Sequence, residues 1–224
     1  MGYEEMLQHT RETIVVSDYS KSVEEVYLEL AIRLLWHHGD LVMLGAVCHT
    51  AESIVSDYPS WVPRWDIIDG EVAMVSGWAW PSRIRDPSGD DVPMHVGGYT
   101  LRVRGLIMTA VTEVLDWMDE LRRETKSKIL NRERSLSLHV GLVDRRRVFR
   151  TQDGLEGLVQ DVVAEGDVVA LLMGAHAPCV LRQVRDKDGE FVLVGTCVMF
   201  GISDERLQEI VNERAEELHD ILLV

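Results

Sequence analysis

The stretch "VLRQVRDKDGEFVLV", Val180 to Val194, contains two runs rich in β-branched and aromatic residues, joined by a turn of Asp and Gly. A polar turn between two such runs is the local signature of a β-hairpin. Upstream, "YTLRVRGLIMTAVTEV" alternates, so that Leu101, Val103 and Gly105 face one way and Arg102 and Arg104 the other, as in a strand with one side buried. "RRRVFRT", "GDVVALLMG", "CVLRQV" and "EFVLVGTCVMFG" read as further short strands separated by turn signals. So many short edges are best protected by a closed or partly closed antiparallel sheet.

Outside this β-rich part the pattern is helical. Val23, Val26, Tyr27, Leu30 and Leu34 recur at helical spacing, Ser22 and Glu25 form a capping-box pair, and Gly39 supplies the stop. A second helix is expected within Leu41 to Ser56, although Gly45 weakens it. "DWMDELRRETKSKILNRER" reads as an exposed helix with acidic residues early and basic ones late, inserted at about 112–134. The chain ends in an amphipathic pattern at about 203–222, with Ser203 as N-cap, Leu207, Ile210 and Val211 on the dry side, and Glu205 to Glu209 on the wet side.

These elements predict an α+β fold: N-terminal helices packed on a small antiparallel β-barrel, with a C-terminal helix. The expected organisation is a helical connector over 1–57, a Trp- and Pro-rich strap with loops over 58–98, and the barrel over 99–224, together forming one compact unit.

Composition narrows the function. The 224 residues carry a formal charge of -15, which repels phosphate, so neither nucleic acid nor an anionic membrane is an expected partner. The basic tract from Arg122 to Arg150 is read as a solvated helix face and an edge strand, or as a group that meets an acidic surface. The start "MGYEEMLQHT" has no basic and apolar signal regions, and no apolar run reaches the roughly 20 residues of a membrane span. Cys48, Cys179 and Cys197 have no regular spacing and suit a reducing compartment, so a cytoplasmic protein is expected.

Motifs for chemistry are scarce. His37, His38, Cys48 and His49 fit no zinc-ligand spacing, and no metal is expected. Neither G-x-x-x-x-G-K-[ST] nor G-x-G-x-x-G occurs, which removes ATP and NAD, and no cofactor is expected. A G-x-S-x-G elbow is also missing. What remains is an aromatic cluster, Trp61, Trp65, Trp78 and Trp80, as the wall of a core or of a pocket. With Arg64, Asp66, His95 and His176 as polar neighbours, these are the candidate ligand-binding residues. In "YPSWVPRWD", Pro59 and Pro63 enforce a stiff, non-helical strap whose tryptophans anchor the connector to the barrel.

"DYSKSVEEVYLELAIRLL" followed by "YPSWVPRWD" resembles the segment downstream of the effector domain in fungal heterokaryon-incompatibility (HET) proteins, where "PSWVPDW" is typical. "LRVRGLIMTAVTEV" is similar to the family's later strand, and the block from "RRRVFRTQDGLEGL" through "VGTCVMFGISD" is similar to its C-terminal region. The resemblance covers most of Asp18 to Asp204 and implies a helical connector leading into a small β-barrel. About seventeen residues precede Asp18, too few for the effector domain, so its death-linked activity is not carried over. Arg64 stands where the family usually has Asp. The resemblance implies a noncatalytic recognition or regulatory module with a protein partner. The alternative is a cofactor-free cyclase, isomerase or pericyclase of fungal specialised metabolism, holding a small apolar ligand in a Trp-lined pocket. The oligomeric state is left open.

Overall fold

The computed structural model describes residues 19–66, 83–89, 94–116 and 146–224. Helix α1 spans Val23–His38; Ser22 and Glu25 form the expected capping box, and Gly39, at φ 65°, closes the helix with its N–H on the Leu35 carbonyl. The buried face is rotated from the one expected. Ala31 and Leu35 are fully inside, whereas Val23 is 56% exposed.

No second N-terminal α-helix follows. Leu41 to Ser56 contains two short 3-10 turns, Val42–Ala46 and Ser53–Val55. Gly45 is buried here, and the N–H of Leu41 bonds the Gly174 carbonyl, so a tertiary contact replaces helical pairing at the segment's start.

Nine strands form one hydrogen-bonded network: β1 Met94–Gly97, β2 Thr100–Asp116, β3 Arg146–Thr151, β4 Glu156–Gln160, β5 Val168–Leu172, β6 Cys179–Gln183, β7 Glu190–Thr196, β8 Val198–Met199 and β9 His219–Leu223. The long β2 pairs with β1, β5, β9 and β3. The pairings β2–β5–β6–β7–β9 return to β2, while β3, β4 and β8 extend the sheet from the far end of β2. The β6–β7 hairpin is as expected, with Asp186 and Gly189 both at positive φ in its turn.

Helix α2 covers Asp204–Glu213, capped by Ser203, and is shorter than the span read from the sequence. The last residues form β9, antiparallel to β2 and parallel to β7. Ile221 and Leu223 alternate into the core there, and this burial outweighs the helical periodicity of the preceding turn. The first residues of the expected inserted helix, 112–116, are likewise strand, because they pair with β3; 117–134 lie outside the described residues. Strand β3 is not an edge. It pairs with both β2 and β4, and Arg146 is buried.

Alternate strand residues feed two large apolar clusters, besides a small one of Leu115, Val148 and Leu158. Leu101, Val103, Ala170, Leu172, Leu181 and Leu193 join Ala31, Leu35 and Trp61 of the helix and strap. Leu106, Val169, Leu171, Val180 and Val194 join Phe149 and the inner face of α2, Leu207 and Val211. Cover on both faces explains why "VVALL" of β5 reads as an unbroken apolar run.

Candidate functional site

The strap Tyr58–Asp66 has neither helix nor strand, and its centre is internal. Trp61 is 0% exposed and donates its indole N–H to the Tyr99 carbonyl at 2.9 Å. Ser60 is also buried; its N–H bonds the Val224 carbonyl at 2.9 Å, its hydroxyl donates to the same oxygen, and it accepts the Leu193 N–H at 2.8 Å. The strap therefore ties together the β1–β2 turn, β7 and the end of β9.

Behind it lies a buried polar network. The Gln160 amide accepts the His49 N–H at 2.9 Å and donates to the Val47 carbonyl. A side chain at Gly195 would crowd that amide, since a Cβ there would lie 2.8 Å from Gln160 Nε2. His49 donates from Nε2 to the Ser60 carbonyl at 3.0 Å, with Nδ1 3.3 Å from Ser53 Oγ. Burial holds the His49 imidazole below its ordinary value despite the opposing pull of the Ser60 carbonyl. Burial similarly lowers the Arg146 guanidinium and pushes the Cys179 thiol up to about 12. A protonated thiol inside a core is a poor nucleophile, and Cys179 packs there as a small apolar side chain.

Open grooves among the described residues include the following pair. One, of about 340 Å³, runs between residues 83–85 and the start of α2. Its wall is built by backbone pairing: the Ile84 N–H bonds the Ala175 carbonyl, and the Gln208 amide exchanges two 2.9 Å bonds with the Arg85 backbone. Arg83, Arg85 and His176 there face Asp204, Glu205 and Glu209, so the groove is of mixed charge. The other, of about 540 Å³, lies between the first turn of α1 and the strap, with Leu28, Tyr58, Pro59, Arg64, Glu24 and Asp57 among its walls.

The described members of the candidate set are spread over different places. Arg64 contacts Asp66 through two nitrogens at 3.3 Å and lies over the Tyr58 ring, 5.3 Å from its centroid. The bonds from Arg64 hold the Asp66 carboxyl below its usual value. Trp65 meets Tyr27 edge-on at 5.2 Å. His95 is exposed on β1, and His176 sits at the other groove with Nε2 3.2 Å from Asp40 Oδ2. Trp78 and Trp80 lie outside the described residues. Sequence reasoning missed Ser60, Gln160, Tyr58 and Tyr99; only Tyr58 and Ser60 had a visible signal, their place on either side of Pro59 at the start of the strap.

Among the described residues no group of three or more His, Cys, Asp and Glu is placed to hold a metal ion, and no helix is long and apolar enough to cross a membrane. His37 and His38 stack edge-on at the end of α1, away from the buried His49.

The described chain is of the mixed helix-and-strand class, its nine-stranded sheet organised around one long strand that pairs with four others. The model of the Het-6 beta-barrel domain matches residues 105–223, over half of the chain, and the protein belongs to that family. The match begins within β2, so α1 and the strap lie outside it. No curated protein and no solved structure matches the chain.

Proposed function

We propose that this HET-related module is a noncatalytic recognition or regulatory unit of a fungal, cytoplasmic heterokaryon-incompatibility system, working through a protein partner. The observation that carries the reading is the use made of the strap. Trp61 is closed into the core and Ser60 is bonded on both sides, so the residues best suited to line an apolar chamber hold the fold together. Among the described residues, solvent meets grooves that carry charge, of the kind that polypeptide surfaces complement. The alternative, a cofactor-free cyclase, isomerase or pericyclase with a Trp-lined pocket, loses Trp61 as a wall, since that ring is closed into the core.

The test is affinity capture of HET-type proteins from fungal extract, followed by reconstitution with the purified partner. Direct, saturable binding is expected. Failure of every purified HET-type protein to bind, together with turnover of a small apolar substrate, would overturn the proposal.

A further inference from the structure

We propose that the groove between the first turn of α1 and the strap docks a lysine- or arginine-bearing polypeptide segment with aliphatic anchors, belonging to a different protein. This rests on the recognition reading above and names the surface and the chemistry of its partner.

The floor is apolar: Leu28, Tyr58 and the buried Pro59. Among the described residues the large hydrophobics that stand exposed are Tyr19 (99%), Val23 (56%), Val55 (78%) and Tyr99 (64%). Of these, Tyr99 lines the groove itself, beside Leu28, Tyr58 and Pro59, while Val23 and Val55 are only chain neighbours of its wall residues. Apolar side chains scattered singly need no explanation, but a cluster around one concavity marks an interaction surface.

Charge selects the occupant. Glu24 and Asp57 stand on the walls without an ion pair among the described residues, while the groove's single guanidinium, Arg64, is engaged by Asp66. The start of α1 offers no anion site, because Ser22 and Glu25 already satisfy each other's backbone N–H groups. An incoming cation meets the carboxylates of Asp57 and of Glu24, the latter also in the field of Arg64, and the open ring of Tyr99, which is a favourable face for ammonium or guanidinium. A second copy of this chain brings a charge of -15 and is repelled, as is nucleic acid.

The test uses the full chain and a labelled peptide of alternating lysine and leucine, with the same peptide carrying glutamate for lysine as control. Wild type should bind the basic peptide and not the acidic one. The double variant Glu24→Lys/Asp57→Lys should weaken binding at least about tenfold, and Tyr99→Ala about fivefold, while Glu205→Lys/Glu209→Lys on α2 stays within about twofold. Circular dichroism checks that each variant is folded. Equal loss in both double variants, or no effect of Tyr99→Ala, would reduce the binding to unspecific attraction and overturn the proposal. So would a concentration-dependent dimer abolished by Tyr99→Ala, which would make a second copy the occupant. If a HET-type partner still binds the Glu24→Lys/Asp57→Lys variant with wild-type affinity, this surface is wrong and the recognition reading survives.

Discussion

Ser60 and Val224 are joined twice through one oxygen: the Ser60 N–H and the Ser60 hydroxyl both donate to the Val224 carbonyl, while the same hydroxyl accepts the Leu193 N–H. One strap residue thus fastens β9 to β7. Ser60→Ala keeps the backbone bond but leaves the buried Leu193 N–H without its acceptor, a loss of about 1–3 kcal/mol. Urea denaturation should show a lower midpoint with an unchanged slope. Ser56→Ala, in an exposed turn, should leave the midpoint within error.

How much of this was legible beforehand depends on the range of the interaction. The β6–β7 hairpin and the Leu101–Gly105 alternation are local patterns, and both appear as read. So do the caps of α1 and α2, whose partners are three residues apart. Strand β9 was not legible, because "ELHDILLV" continues a helical composition and becomes a strand only where β2 and β7 offer partners. The strap's tryptophans could be read as apolar anchors, yet their division of labour could not. Ser60 meets Leu193 across 133 residues and Gln160 meets Val47 across 113, distances at which a hydroxyl or amide leaves no pattern.

His49 makes stability depend on pH. Its unfolded imidazole titrates near 6.5, and burial holds the folded ring lower, so between the two values the unfolded chain binds more protons. The contribution of the neutral ring is full above 6.5 and is lost as pH falls toward the folded value, at up to about 1.4 kcal/mol per pH unit. Chemical denaturation from pH 8 to pH 5 should show this decline. His49→Gln should be less stable at pH 8 and flatter across the range; an unchanged slope would remove His49 as the cause.

Phe149 and Gly157 face each other across β3 and β4, with the ring lying over the glycine. A Cβ at 157 would sit 2.5 and 2.7 Å from two carbons of that ring and 2.7 Å from the Val198 carbonyl. Gly157→Ala should therefore cost about 1–3 kcal/mol through overpacking. Combined with Phe149→Leu, the clash with the ring is relieved while the Val198 contact persists. A thermodynamic cycle over the four proteins should show the double variant more stable than the sum of the single losses. Additivity within about 0.5 kcal/mol would mean that the two residues are uncoupled.

Asp167 is almost fully buried and takes a bidentate bond from Arg182 at 2.8 and 2.9 Å, as well as the Ala164 N–H at 2.8 Å. Arg182 also donates to the Val162 carbonyl at 2.8 Å, so the pair ties β6 to the turn before β5. Removing the carboxylate leaves a partly buried cation beside an unmatched N–H. Asp167→Ala should cost about 3–5 kcal/mol, toward the lower end because Arg182 keeps about a third of its surface in water. Arg182→Met with Asp167→Ala removes the stranded charge and should recover part of that loss. If instead the double variant is less stable than Asp167→Ala alone by the full cost of Arg182→Met, the two side chains act independently and the ion pair is not what holds this turn.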